Sequence, residues 1–309
     1  HEAQRWTIEA PPAAVIGRPG DTGIASLARV GERFVLGAGE GRLESWLGGR
    51  RTAARNLGDR VVKRVALSPD ARTVYVSIIG PAILTFDAAT LEPGPEIPGH
   101  GVRRLEALAS GDVLVCAFAE ACRRIVKGEL RPIEGAFIGA DTDVDARGER
   151  AVILEDGGTR IGLLGSTLTT ITRPADARAV AIEDAVAVLT SAEVIVLAAD
   201  GAELARFTSE RGADIELTSA LVVVGTLDNV TRVYDRAGRL LAELGGHGER
   251  VAQVLVGADA IWSASWDGSA RRYALSTLAT PGDVLARDLE SAWGIDLQRL
   301  LTTRTITSR

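Results

Sequence analysis

Three residues in the last quarter of the chain have side chains of the types that do acyl-transfer chemistry: His247, Ser265 and Asp267. An imidazole between a hydroxyl and a carboxylate can activate the hydroxyl as a nucleophile. The surroundings argue against that use. Ser265 lies in Ser263-Ala264-Ser265-Trp266-Asp267-Gly268, which reads as a hairpin. It has neither the G-x-S-x-G pattern nor the strained strand-to-helix turn that exposes a nucleophilic serine. The same groups can instead satisfy one another in a protein interior, where a lone polar group is costly. A structural role is therefore expected.

Other candidates are thinner. Asp141, Asp143 and Asp145 alternate along a strand-like stretch and share one face. Such a run can bind calcium, but this one lacks the Gly and the downstream Glu of an EF-hand loop, so a solvated acidic strand start is expected. Cys116 and Cys122 flank a predicted hairpin tip. They can pair across it, although two small half-buried thiols is the reading preferred. With no His nearby they form no zinc site, and His1, His100 and His247 are scattered. Neither a phosphate-cradling glycine loop with a Lys nor a zinc motif is present. No metal and no cofactor are expected.

Composition sets the remaining bounds. The chain has 309 residues, 46% of them hydrophobic and 25% charged, and can bury a large core. A formal net charge of −6 gives no global basic field for nucleic acid. The pairs Arg103-Arg104, Arg123-Arg124 and Arg271-Arg272 are too isolated to supply one. No apolar run approaches the ~20 residues of a membrane helix. Neither a nucleic-acid nor a membrane partner is expected, and a cytoplasmic location is. Lysine occurs only at positions 63 and 127, against many Arg, Ala and Gly, a bias that points to a GC-rich bacterial source. The sequence starts at His1 and contains no Met, which suggests a processed or partial chain.

The elements that must position these residues are short strands in a repeating order. Gly246-His247 leads to Val251–Val256, then Ile261–Ser265, a Trp-Asp-Gly turn and Ala270–Tyr273. Three β-rich runs joined by tight turns make a meander. The residues ending the third run recur along the chain as Trp46, Phe86, Val126, Leu164, Leu197, Tyr234 and Tyr273. Their spacing is roughly 33–40 residues, slightly under the ~40–45 of propeller repeats that open on Gly-His and close on Trp-Asp. The chain resembles the WD-repeat β-propeller family, with divergent repeats. That resemblance implies an all-β, seven-bladed propeller of four-stranded antiparallel blades with a short C-terminal helical tail. It also implies a structural hydrogen-bonded set of His247, Ser265, Asp267 and Tyr273, the tyrosine standing where the family carries Trp.

Residues 1–278 are assigned to the propeller and 279–309 to the tail. The seventh repeat lacks an outer strand, and the lone strand at Gln4–Glu9 is expected to supply it, hiding an exposed sheet edge. In the tail, Leu285, Leu289 and Trp293 fall at helical spacing. The candidate binding surface is the face where the second-to-third strand hairpins gather. Trp266, Leu227, Ile79 and Glu155 are placed there, as are Gly39 and Ala119, with Arg60 and Arg250 at the rim. A non-catalytic protein- or peptide-binding module is expected, as scaffold or regulator. The chain would act as a monomer or within a hetero-complex or larger chain, and the resemblance places such modules in bacterial signalling or defence proteins carrying kinase or protease modules. The alternative is a propeller hydrolase of the lactonase type, against which the few histidines and the lack of a visible inward acid cluster are counted.

Overall fold

The structure is a computed structural model that describes residues 7–8, 23–145, 147–156, 160–165, 168–172 and 176–276. Strand β1 is Thr7–Ile8. The first blade holds β2 (Ile24–Val30), β3 (Arg33–Ala38), β4 (Arg42–Leu47) and β5 (Arg50–Asn56). The second holds β6 (Val62–Leu67), β7 (Thr73–Ile78), β8 (Ala82–Asp87) and β9 (Ile97–Pro98). In the third are β10 (Val102–Ala107), β11 (Val113–Ala117), β12 (Arg123–Val126) and β13 (Glu129–Pro132). The fourth comprises β14 (Gly139–Val144), β15 (Ala151–Glu155), β16 (Arg160–Leu164) and β17 (Leu168–Thr172). The fifth comprises β18 (Ala179–Ile182), β19 (Val186–Leu189), β20 (Glu193–Leu197) and β21 (Glu203–Thr208). The sixth is β22 (Gly212–Leu217), β23 (Leu221–Thr226), β24 (Thr231–Asp235) and β25 (Leu240–Leu244). The seventh is β26 (Val251–Val256), β27 (Ala260–Ser265) and β28 (Ala270–Ala274).

Apart from β1, each sheet is an antiparallel meander in chain order. Strand composition follows position in the blade. The second strands, such as Val-Leu-Val-Cys-Ala in β11 and Val-Ala-Val-Leu in β19, are buried at every residue. A strand pressed by a neighbouring blade on both faces needs a continuous apolar run, not alternation. The outer strands β5 and β21 alternate intermediate and exposed residues along most of their length. The buried side chains form seven clusters, one for each seam between adjacent blades. One of them packs Ile24, Leu27 and Phe34 of the first blade against Trp262 and Ala264 of the last. Phe34 and Trp262 meet with ring centroids 5.1 Å apart. A seven-bladed propeller closes there, by packing.

The expected strand closure differs. Thr7 and Ile8 pair in parallel with Glu243 and Leu244 of β25, extending the sixth blade instead of completing the seventh. Every blade offers an outer edge with unpaired backbone groups, so the seventh was not the only place a lone strand could dock. Among the described residues the seventh blade has three strands. The C-terminal helix expected around Leu285, Leu289 and Trp293 lies outside the described residues, as do Gln4, Arg5, Trp6 and Glu9.

Cys116 and Cys122 are not half-buried thiols. They form a disulfide, with Cα atoms 4.3 Å apart and no exposed surface. The last strand residues of β11 and the turn before β12 bring them together inside the seam between the third and fourth blades.

Candidate functional site

His247 sits in the loop leading into β26, with its side chain fully enclosed. Its Nδ1 lies 3.3 Å from Asp267 Oδ2 and 3.1 Å from Ser269 Oγ, and its Nε2 lies 2.6 Å from Ser263 Oγ. The partner at Nε2 is therefore Ser263, not Ser265. Strand side chains alternate faces, so positions 263 and 265 share one, and the hydroxyl level with the imidazole is the earlier. Ser265 instead donates to the Glu249 carbonyl at 3.0 Å and accepts from the Asp267 N–H at 3.1 Å. Tyr273 donates to the Gly245 carbonyl at 3.0 Å and also bonds Ser263. Burial lowers the His247 pKa to about 4, against the pull of Asp267. Burial opposes ionisation of Asp267 too, yet Ser269 and the Gly248 and Ser269 N–H groups hold it below the usual carboxylate range. Ser263, His247 and Asp267 thus stand in triad order, but the Ser263 hydroxyl has no exposed surface. The set ties the loop before β26 to the β27–β28 hairpin.

The hairpin face is defined by a bond that recurs from blade to blade. In six of the seven blades the N–H of the residue after the second strand donates to the carbonyl just before the blade's first strand. The pairs are Gly39 to Gly23, Ile79 to Val61, Phe118 to Gly101, Asp156 to Ile138, Leu227 to Arg211 and Trp266 to Arg250. These matches correct the sequence alignment at three places. Phe118, not Ala119, is the third blade's residue, and Asp156, not Glu155, is the fourth's. Glu155 is the last residue of β15 and pairs with Arg160 on the neighbouring strand. Arg250 is matched by Val61, not Arg60, whose guanidinium lies 3.7 Å from Glu96. Turn lengths differ between the blades, and that moved the sequence register by one residue.

The side chains on this face are unevenly exposed. Ile79 is 63% exposed, Phe118 57% and Trp266 48%, whereas Leu227 is partly buried. Arg250 lies 3.2 Å from the centroid of the Trp266 ring, and Arg103 lies 4.2 Å from that of Phe118. Arg103 also donates to Asp156 Oδ2 at 2.7 Å. Blade one contributes almost no side chain. Gly41 there has a φ of +80°, and a Cβ on it would stand 2.6 Å from the carbonyl oxygens of Gly58 and Arg60. Sequence order around the ring makes blades seven, one, two and three neighbours, so Trp266, Gly39, Ile79 and Phe118 follow one another.

Beneath this face the first strands line the channel. Six of the seven carry a bulge near their start, between Ile24 and Ser26, Val62 and Arg64, Val102 and Arg104, Gly139 and Asp141, Gly212 and Asp214, and Val251 and Gln253. The residue after the bulge reaches the next blade. Ser26 accepts from the Val65 N–H at 3.1 Å, Asp141 from Val180 at 3.0 Å, Asp214 from Val254 at 2.8 Å and Gln253 from Leu27 at 2.8 Å. One turn of alternation further down, Asp143 accepts from Ile182 at 2.8 Å. An innermost strand is a sheet edge whose inward N–H groups have no strand partner, and these side chains supply one. The expected solvated acidic run is thereby corrected. Asp141 and Asp143 stitch blades four and five, while Asp145 caps its own hairpin by accepting from the Glu149 N–H at 2.8 Å.

The channel is also strongly charged. Arg104 pairs with Asp141, and Arg64 donates to the Ala25 carbonyl at 3.2 Å. Burial lowers Arg64 to about 10, with Arg104 adding to the effect. Burial raises Glu106 to about 8; Arg64 and Arg104 pull it down while Asp141 and Asp214 push it up. Burial likewise raises Asp214 to about 6, and lifts Asp143 and Glu216 well above the carboxylate range, with Glu216 adding to the effect on Asp143 and Asp214 to that on Glu216. The inward acid cluster that the sequence reading missed is therefore present. Its signal was the residue after each bulge, together with the residue two further on. Among the described residues no three His, Cys, Asp or Glu side chains are grouped so as to hold a metal.

No family model matches the chain, and a search of curated proteins finds no relative.

Proposed function

We propose that this propeller is a non-catalytic module of the WD-repeat kind that binds a protein or peptide on its hairpin face. The observation that carries the reading is the exposure of Ile79, Phe118 and Trp266 at matching positions of three blades. Each leaves apolar surface in water at roughly 25 cal/mol per Å²; arginines stack on two of them, and Trp266 also lies against Gly23 of the first blade. Rigid aromatic anchors with arginines beside them are the composition of interface hot spots. A propeller face built from hairpins on a packed ring keeps such anchors in place, which lowers the ordering cost of binding. Trp266, Ile79 and Phe118 are the anchors in this reading, with Leu227 at the edge and Arg60 and Arg250 as rim contacts. The role is that of scaffold or regulatory part, within a bacterial signalling or defence assembly as the repeat resemblance implies. A cytoplasmic setting favours open thiols at positions 116 and 122, and the disulfide weighs against it.

The test is affinity capture from a bacterial lysate with wild type and Trp266→Ala, Phe118→Ala and Ile79→Ser variants. Arg206→Ala, on the exposed outer strand β21, is the control. A protein retained by wild type and by the control but lost by the face variants supports the reading. Equal retention by all of them removes it.

A further inference from the structure

The disulfide belongs to a closed circuit of contacts that includes part of the hairpin face. Cys116 is the last residue but one of the buried strand β11, Cys122 precedes β12, and the five residues between them include Phe118 at the tip. Arg103 stacks on Phe118 and bonds Asp156. The Asp156 N–H donates to the Ile138 carbonyl at 2.8 Å, and the Cys122 N–H donates to the Phe137 carbonyl at 2.9 Å. Gly139, next along, lies against both sulfurs, and a Cβ there would stand 2.8 Å from Cys122 Sγ and 2.9 Å from Cys116 Sγ. The circuit therefore runs from the sulfurs through residues 137–139, Asp156 and Arg103 back to Phe118. It has no spare room at the sulfurs. Two thiols must stand farther apart than the ~2.05 Å of a bond, and the seam between blades three and four has to shift to accept them.

We propose that Cys116–Cys122 is a redox-controlled clasp on this seam, which fixes Phe118 and Arg103 on the hairpin face when closed and releases them when opened by a dithiol. Neither sulfur is exposed, so the seam between blades three and four parts first; a thiolate of the dithiol then attacks one sulfur and the other leaves as a thiolate. The second thiol of the reductant then displaces the protein sulfur and departs as a cyclic disulfide. Two electrons and two protons pass to Cys116 and Cys122. The rest of the ring stays folded, because the other six seams keep their own clusters. The effect on partner binding rests on the reading of the face given above; the clasp does not.

The experiment needs no partner. Purified protein is alkylated with iodoacetamide before and after native treatment with dithiothreitol, and its amide hydrogen exchange is followed in both states. Expected are no adducts before reduction and two after it. Exchange should become about tenfold faster or more in residues 101–104, 117–123 and 137–139, with the blades opposite unchanged. A Cys116→Ala/Cys122→Ala variant should reproduce the reduced pattern, and the wild-type comparison carries the result if that variant does not fold. Adducts before reduction, resistance of the bond to native dithiothreitol, unchanged exchange after reduction, or faster exchange throughout the propeller would each overturn the proposal.

Discussion

Replacing Glu106 by Gln isolates the cost of placing a carboxyl in the channel. Glu106 stands two residues after Arg104 on β10, partly reached by channel water but surrounded by protein. Its proton is held up to about 8, against an ordinary 4.5. A carboxyl whose folded value is raised binds its proton more tightly when folded. Its contribution is fully present below the unfolded value and is lost as pH rises through the folded one. The slope is about 1.4 kcal/mol per pH unit between the two values. Asp214, held up to about 6, shares the same field, so part of the loss is spread over it. A realistic expectation is that the variant gains about 2 kcal/mol over wild type between pH 6 and pH 8. Gln keeps the size and polarity of the protonated acid, so the two proteins should be nearly equal only below about pH 4.5, the ordinary value of the carboxyl. The assay is urea unfolding at a series of pH values, read by circular dichroism. Parallel curves from pH 6 to pH 9 would refute the reasoning. A wild type that gains on the variant as pH rises would show that Glu106 acts as a paired carboxylate of Arg64 and Arg104.

Three further outcomes follow from the same geometry. Asp267→Ala removes the carboxylate that accepts from Gly248 and Ser269, and should cost ~1–3 kcal/mol in thermal or chemical unfolding; an unchanged midpoint would contradict the structural role of the His247 set. Gly139→Ala places a methyl against both sulfurs and should destabilise by ~1–3 kcal/mol, with exchange rising first at residues 117–122. Phe118→Ala and Trp266→Ala should change stability by less than ~0.5 kcal/mol each, which circular dichroism melting can check, so any loss of capture by these variants is a loss of contact.

Seven blades were legible because the blade is a repeated unit whose second strands are buried along nearly their whole length and so are mainly apolar. Runs such as Val113–Ala117 and Val222–Val224 therefore mark each unit even where the Gly-His and Trp-Asp signatures have gone. His247, Asp267 and Tyr273 were legible for the same reason, since their repeat is the least divergent. What failed was register by one or two residues. Ser265 and Ser263 face the same side of β27, so composition alone did not choose between them. Phe118 and Asp156 were missed because hairpins of unequal length shift the alignment, and only the recurring bond from the second strand to the start of the first fixes it. The channel charges were hidden because Arg64, the Arg104 and Glu106 pair, and the Asp214 and Glu216 pair lie on three blades far apart in sequence. Their inward direction depends on a bulge near the start of each of these first strands, which becomes a signal only once the strand pairing is known. The docking edge of β1 was not legible at all, because one outer edge offers the same backbone groups as another.

The central claim is that the hairpin face is the surface a partner covers. Hydrogen exchange of the propeller with and without the captured partner measures this directly. Expected is protection at Phe118, Trp266 and Ile79 and the residues next to them, with the outer strands β5 and β21 unchanged. Protection on those outer strands with the hairpin tips unaffected would contradict it.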